Sequence, residues 1–152
     1  MKSKEKRKIN IVIRKMTIRD YESLIKLWKE GDIPYRSRGR DSKKNIQWQL
    51  QQPNCLFFVA EEKGKIVGAV LGTHDGRKGW INRLIVTPSF RKKGIARQLV
   101  EEIEHRLSAI GIDIVASLIE DWNTASMRVF KQLGYIQHTD IFYYSKRKNK
   151  SI

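Results

Sequence analysis

The strongest constraint on this chain is a change of hydrophobic period near residue 86. Upstream, short apolar runs alternate with turn signals. Downstream, Ile95, Leu99, Ile103 and Leu107 recur four apart, and Ile112–Leu118 follows as an apolar strand. Four-residue spacing lays one apolar stripe along a helix, predicted over 94–109 and ended by Gly111. Residues 80–86 (WINRLIV) read as a strand before it. A strand, a helix and a strand in succession require a parallel crossover. The chain is therefore expected to be α/β.

The flanking segments complete the outline. Ile9, Ile11 and Ile13 alternate with polar residues over 9–16, as a strand does. Thr17 and Asp20 form a capping-box pattern ahead of Tyr21, Leu24, Ile25 and Trp28, with Gly31 as terminator. Residues 33–41 are an irregular basic loop. Asp41 or Ser42 can cap a second helix with Ile46, Trp48 and Leu50 inside, and both Trp28 and Trp48 read as core. Leu56–Glu61 and Ile66–Leu71 flank Glu62-Lys63-Gly64-Lys65, the chemistry of a tight hairpin. Asp75-Gly76 through Gly79 makes a second turn. Asn123–Leu133 is helical and ended by Gly134, and Tyr135–Gln137 and Ile141–Tyr144 read as short strands. The expected architecture is one mixed sheet of six to seven strands with about four helices.

Composition sets limits. A chain of 152 residues corresponds to one domain, expected over 9–145. Leu, Ile, Val and Phe make up 28%, enough for a packed core. No apolar run reaches the ~18–20 residues of a membrane span, and the N-terminus lacks a signal-peptide core. Cys55 is the sole cysteine, so no intrachain disulfide forms. The three histidines show no zinc-ligand spacing, and no metal is expected. A reducing, cytoplasmic setting is the default. The net charge is +15, and it is concentrated. Residues 1–8, 36–44, 91–97 and 146–150 each carry a net +4, so the rest is nearly neutral. The segments 1–8 and 146–152 read as basic, unstructured tails.

The 91–97 patch sits at the entry of the long helix. Arg91, Lys92 and Lys93 precede Gly94, Ile95, Ala96 and Arg97. Gly94 and Ala96 leave room for a ligand to approach the backbone. The first N–H groups of a helix have no intrahelical acceptor and favour anions. The segment therefore reads as a phosphate cradle, or alternatively as an ordinary basic helix entry.

Three motifs carry a resemblance to a known family. Arg91-Lys92-Lys93-Gly94-Ile95-Ala96, after a strand ending Val86-Thr87-Pro88, resembles the (R/Q)-x-x-G-x-(G/A) acetyl-CoA-binding motif of the GNAT N-acetyltransferase superfamily. Asn123 to Tyr135 (NTASMRVFKQLGY) resembles that family's next helix, and IRKMTIRDYESLIKLW its first strand and helix. The stretch before the cofactor motif is similar to a small bacterial branch labelled YpeA-like. The resemblance spans about 9–145. It implies the acyl-CoA N-acyltransferase fold, in which the fourth and fifth strands splay into a slot. It further implies that the pantetheine arm pairs there with backbone of Leu84, Ile85 and Val86, that the 91–97 backbone takes the phosphates, and that Asn123, Ser126 and Phe130 line the slot. Asn123 reads equally well as a helix N-cap.

The implied reaction is direct transfer of an acetyl group from acetyl-CoA to a primary amine in a ternary complex. The amine must first lose a proton, because an amine of pKa about 10.4 is charged at neutral pH. Backbone N–H near Leu84 or Ile85 is the candidate oxyanion donor. Two positions depart from the family pattern. Asn82 stands where many members carry a glutamate base, and Phe130 where many carry a tyrosine acid. Positioning and a water relay are one substitute. Other groups are a second: Glu120 and Asp121 first, then Asp75, His74 and Tyr135. For each, capping, surface charge or core packing is the competing reading.

In this family the acceptor side is built from the first two helices and their loop. Tyr35, Arg36, Arg38 and Arg40 occupy that loop, and arginine forks suit carboxylates and phosphates. The expectation is an acidic or phosphate-bearing acceptor, with a solvated loop as the alternative. Trp80 and Trp122, near strand ends, are further candidates for the acceptor pocket. A competing function is a basic RNA- or ribosome-associated protein, or a CoA sensor, with this fold and little turnover. The tails would then add weak polyanion contact. A monomer and a homodimer are both compatible with the sequence.

Overall fold

The computed structural model describes residues 8–150 and 152; the proposed N-terminal tail lies outside them except for Lys8. Five strands form one sheet in the order β1-β2-β3-β4-β5: Val12–Lys15, Cys55–Glu62, Lys65–His74, Gly79–Val86 and Val115–Ser117. The first four pair antiparallel, and β5 runs parallel to β4. Four helices accompany them: α1 (Tyr21–Glu30), α2 (Lys43–Leu50), α3 (Ile95–Ala109) and α4 (Thr124–Gln132). The α/β class and the mixed sheet are those expected.

Local chemistry fixes the turns. Lys63 (φ 49°) and Gly64 (φ 77°) are both left-handed, giving the two-residue turn that matches strand twist between β2 and β3. Asp75 Oδ1 accepts the N–H groups of Arg77 and Lys78, both at 2.8 Å, and closes the β3–β4 turn. Thr17 and Asp20 form the expected capping box at a 3-10 turn (Ile18–Asp20) that runs into α1. Ser42 caps α2 by accepting from Asn45 N–H at 3.3 Å.

Two expectations are corrected. The sheet has five strands among the described residues, because 135–137 and 141–144 form none. β5 is three residues long, so its outer edge offers too short a ladder to carry further strands. Trp48 is 64% exposed rather than core. It lies two positions from buried Ile46, which on a helix is nearly the opposite face.

Helices cover both faces of the sheet. Trp28, Leu24 and Leu27 of α1, with Ile46 of α2, pack on Phe57, Val59, Ala69 and Ile85. On the other face the stripe Ile95, Leu99, Ile103 and Leu107 of α3, with Phe130 of α4, packs on Phe58, Val70, Ile81 and Val86. Each fully buried aliphatic side chain contributes roughly 1.5–3 kcal/mol. Successive knobs of α3 rest on glycines of the sheet: Leu99 over Gly68, Ile103 over Gly72 and Leu107 over Gly79. A Cβ at Gly72 would lie 2.7 Å from Ile103 Cδ1 and 2.9 Å from the Leu56 carbonyl oxygen. The missing side chains let α3 sit close to the sheet, which fixes where its N-terminus points.

Candidate active site

β4 and β5 part after a short contact. They pair only at Gly79, Trp80 and Ile81, against Val115, Ala116 and Ser117. β4 runs on to Val86, whereas β5 ends at Ser117 and the ladder between them ends at Ile81. Between them opens a cleft of about 470 Å³, lined by Asn82, Arg83 and Leu84 on one side and Ser117 to Glu120 on the other. Trp122, Asn123, Ser126 and Phe130 close one wall. Ile33, Pro34, Arg36, Arg40 and Asp41 of the α1–α2 loop close another. Parting strands leave backbone N–H and C=O groups without ladder partners, available to an extended ligand.

The helix entry beyond β4 is open. Lys92 (φ 60°) and Gly94 (φ 78°) are left-handed, and a Cβ at Gly94 would meet nothing within 4 Å. Gly94 is the α3 N-cap and offers no side chain there, so Ile95, Ala96 and Arg97 present their first-turn N–H groups outward. Ile95 is 1% exposed, so its side chain belongs to the core and only its backbone serves this surface. Lys92, Lys93 and Arg97 are exposed. Arg91 folds back instead, its Nε donating to the Val86 carbonyl at 3.1 Å. The donor set fits a phosphate-bearing ligand: a positive helix end, a bare backbone and exposed cations, of which Arg97 also pairs with Glu101 at 3.3 Å.

The structure brings some expected residues together and separates others. Leu84, Asn123, Ser126, Phe130 and Glu120 share the cleft, with Arg36 and Arg40 across from them. Asn123 is the α4 N-cap, its Oδ1 accepting from Ser126 N–H at 3.2 Å, and it also lines the cleft. The Ile85 and Val86 side chains point into opposite cores, leaving their backbone for any ligand. Asp121, Arg38 and Tyr35 are not lining residues. Tyr35 packs on Trp28, ring centroids 6.1 Å apart. Trp80 also stands outside, under Lys78 Nζ at 4.8 Å, whereas Trp122 lines the cleft.

Tyr135 stands edge-on against Phe130 at 4.8 Å, and its hydroxyl is buried without a hydrogen-bond partner. Burial, with Glu104 nearby, pushes its pKa well above the usual phenol range. Asp75 and His74 belong to the β3–β4 turn, where Asp75 is held by backbone N–H groups. Among the described residues no cluster of His, Cys, Asp or Glu could hold a metal ion.

The sequence reading missed Arg83, Asp41, Tyr143 and Arg147, all of which line the cleft. Arg83 left one signal, a cation inside a mostly apolar strand. Tyr143 fell in a segment read as a short strand and Arg147 in one read as a basic tail, so neither reading pointed to the cleft.

This architecture, a V of splayed parallel strands beside a bare helix N-terminus, defines an acyl-CoA-binding α/β protein. A family model described as Acetyltransferase (GNAT) family matches residues 19–135. The chain belongs to that family, and it is an acetyl-CoA-dependent N-acetyltransferase. Solved structures share the fold. An aminoglycoside N-acetyltransferase, AAC(6')-Iy, in complex with CoA is 24% identical, with TM-score 0.74, over 93% of this chain and 98% of that one. PaiA N-acetyltransferase from Thermoplasma acidophilum, in complex with coenzyme A, is 21% identical with TM-score 0.73 over 82% and 88%. A transcriptional regulator from Bacillus halodurans is 18% identical with TM-score 0.75 over 91% and 99%. Among the described residues no helix is long and apolar enough to cross a membrane.

Proposed function

We propose that the protein acetylates the primary amine of an acceptor that carries an anionic group close to that amine. The observation behind this is the charge of the cleft. Four arginines line it, Arg36, Arg40, Arg83 and Arg147, against two carboxylates, Asp41 and Glu120. Arg83 and Asp41 neutralise each other in a bidentate pair. Arg36 and Arg147 form no ion pair among the described residues, and Arg40 makes only a 3.9 Å contact to Asp41. An aminoglycoside is multiply protonated at neutral pH and would be repelled by this surface. A carboxylate or phosphate beside the amine would be drawn in.

The residues divide the work accordingly. Bound acetyl-CoA supplies an acyl group activated as a thioester. The first-turn N–H groups of α3, with Lys92, Lys93 and Arg97, hold its phosphates, and the unpaired edge of β4 at Leu84 to Val86 aligns its arm. Arg36, Arg40 and Arg147 orient the acceptor. Glu120 is the one carboxylate lining the cleft that is not committed to Arg83, and it takes the proton from the amine, directly or through a water. Phe130, with no proton to give, supplies apolar wall. A cytoplasmic setting is part of this reading, supported by the lone thiol of Cys55.

The test is acetyl-CoA-dependent thiol release across amines: phosphoethanolamine, glutamate and acidic peptides on one side, kanamycin and spermidine on the other. The anionic amines should turn over with the lower KM, and Arg36→Glu with Arg40→Glu should raise it at least tenfold. Preferred turnover of kanamycin would overturn the charge argument. Salt-sensitive RNA retention without any thiol release would favour a binding protein.

A further inference from the structure

Arg83 holds the least expected backbone conformation in the sheet. Its φ is 52°, left-handed, in a residue that is not glycine. The β3–β4 register slips at this point: Leu71 faces Asn82, but Ala69 faces Ile85. Arg83 and Leu84 thus share one partner position, and β4 bulges beside the cleft. Glycine is the ordinary residue for such a bulge. An arginine there must be held by its side chain.

The side chain is held on three sides. Nη1 donates to Asp41 Oδ1 at 2.8 Å and Nη2 to Asp41 Oδ2 at 3.0 Å. The guanidinium lies over the Trp28 ring at 4.5 Å. The two partners' side chains are only 15% and 6% exposed, so the pair is shielded from competing water. Asp41 in turn organises the acceptor loop. Its Oδ2 accepts Arg36 N–H at 2.7 Å, its carbonyl accepts the Tyr21 hydroxyl at 2.7 Å, and its N–H donates to the Arg36 carbonyl at 3.1 Å.

We infer that Arg83 is a positioning residue that bolts the 36–41 loop to the bulge of β4, so that the surface presenting the acceptor and the strand edge presenting the thioester move as one piece. The inference uses the proposed acceptor side but does not depend on the acceptor's charge. It predicts a local consequence. Without the bolt, the loop loosens while the sheet and the α3 entry stay as they are.

The experiment compares wild type with Arg83→Gly, Arg83→Lys and Asp41→Asn. Glycine suits the left-handed bulge, so Arg83→Gly keeps the fold while removing the bolt. Amide hydrogen exchange should speed up at least tenfold over 36–42 in Arg83→Gly and Asp41→Asn, and less in Arg83→Lys. Amides of β2 and β3 should not change, and acetyl-CoA affinity by calorimetry should stay within twofold. Millimolar ethylguanidinium should restore slow exchange to Arg83→Gly and have no effect on Asp41→Asn. Unchanged exchange over 36–42, or faster exchange spread across the sheet, would overturn the inference. None of these readouts needs turnover, so a failed acceptor panel and a failed bolt are separate results.

Discussion

The glycines under α3 make a prediction that reaches from packing to ligand. Gly72→Ala puts a Cβ 2.7 Å from Ile103 Cδ1 and 2.9 Å from the Leu56 carbonyl oxygen. The first neighbour can rotate. The second is backbone of β2, directly opposite in the ladder, and cannot. For Gly79→Ala the nearest atoms all belong to the side chain of Leu107. Overpacking of this kind costs about 1–3 kcal/mol. Gly72→Ala belongs at the upper end and Gly79→Ala at the lower. With a urea slope of about 1–3 kcal/mol per molar, the Gly72→Ala midpoint should fall by about 1–3 M at an unchanged slope. Ile103→Val removes Cδ1 and should rescue Gly72→Ala only in part, because the carbonyl contact remains. Leu107→Ala alone costs about 2–5 kcal/mol. Combined with Gly79→Ala it should cost less than the two added, by about 1 kcal/mol or more. A lifted α3 also withdraws its N-terminus from β4, so acetyl-CoA affinity should drop in Gly72→Ala although no group touching the ligand has changed. A Gly72→Ala protein within about 0.5 kcal/mol of wild type would refute the close approach.

Other outcomes can be checked alongside. Tyr135→Phe deletes a buried hydroxyl that has no partner and should stabilise the protein by about 1 kcal/mol in the same denaturation assay. Loss of turnover in that variant at full stability would instead make the hydroxyl part of the chemistry. Burial works against the Asp20 carboxylate, but Arg14 and the Thr17 N–H outweigh it and hold its pKa below the ordinary 3.8. Its contribution is therefore full above that value and disappears as pH falls through the lower, folded one. Wild type should lose stability across that acid range by more than Asp20→Asn does. The Cys55 thiol is pushed up from 9.0 to about 11 by burial, so at pH 8 it should carry roughly a hundredfold less thiolate than an unfolded chain. Its reaction with a disulfide reagent should accelerate to the free rate only on denaturation.

What could be read in advance follows from how local each feature is. The α3 stripe is four residues at a fixed spacing, and all four are buried as expected. The Lys63-Gly64 turn and the Ser42 and Asn123 caps are set by neighbours a few positions away, and the sequence displays them. The five-strand sheet is different. Whether 135–137 and 141–144 become strands depends on how long an edge β5 offers, which no run of residues reveals. The cleft divides along the same line. The helix entry at 91–97 is contiguous and carries its own chemistry. Arg83 and Asp41 are forty-two positions apart, and their pairing exists only once α1 and α2 are laid on the sheet. Asp41 read as one of two candidate caps of α2, and the other, Ser42, takes that place. Asp41 serves instead as the buried partner of an arginine.

The C-terminal segment has a consequence for how copies of the protein behave toward each other. Ile141, Phe142, Tyr143 and Tyr144 stand 68–88% exposed, and the outer edge of β5 has no ladder partner among the described residues. An exposed apolar run of this kind is adhesive toward the same run of another copy. Four cations follow at once, at 146–150. Stacking two such segments would bring eight like charges together, so each copy repels the next at the place where it is most adhesive. The last basic cluster thus opposes self-association while also supplying Arg147 to the cleft, and the repulsion would be felt at high concentration and low salt.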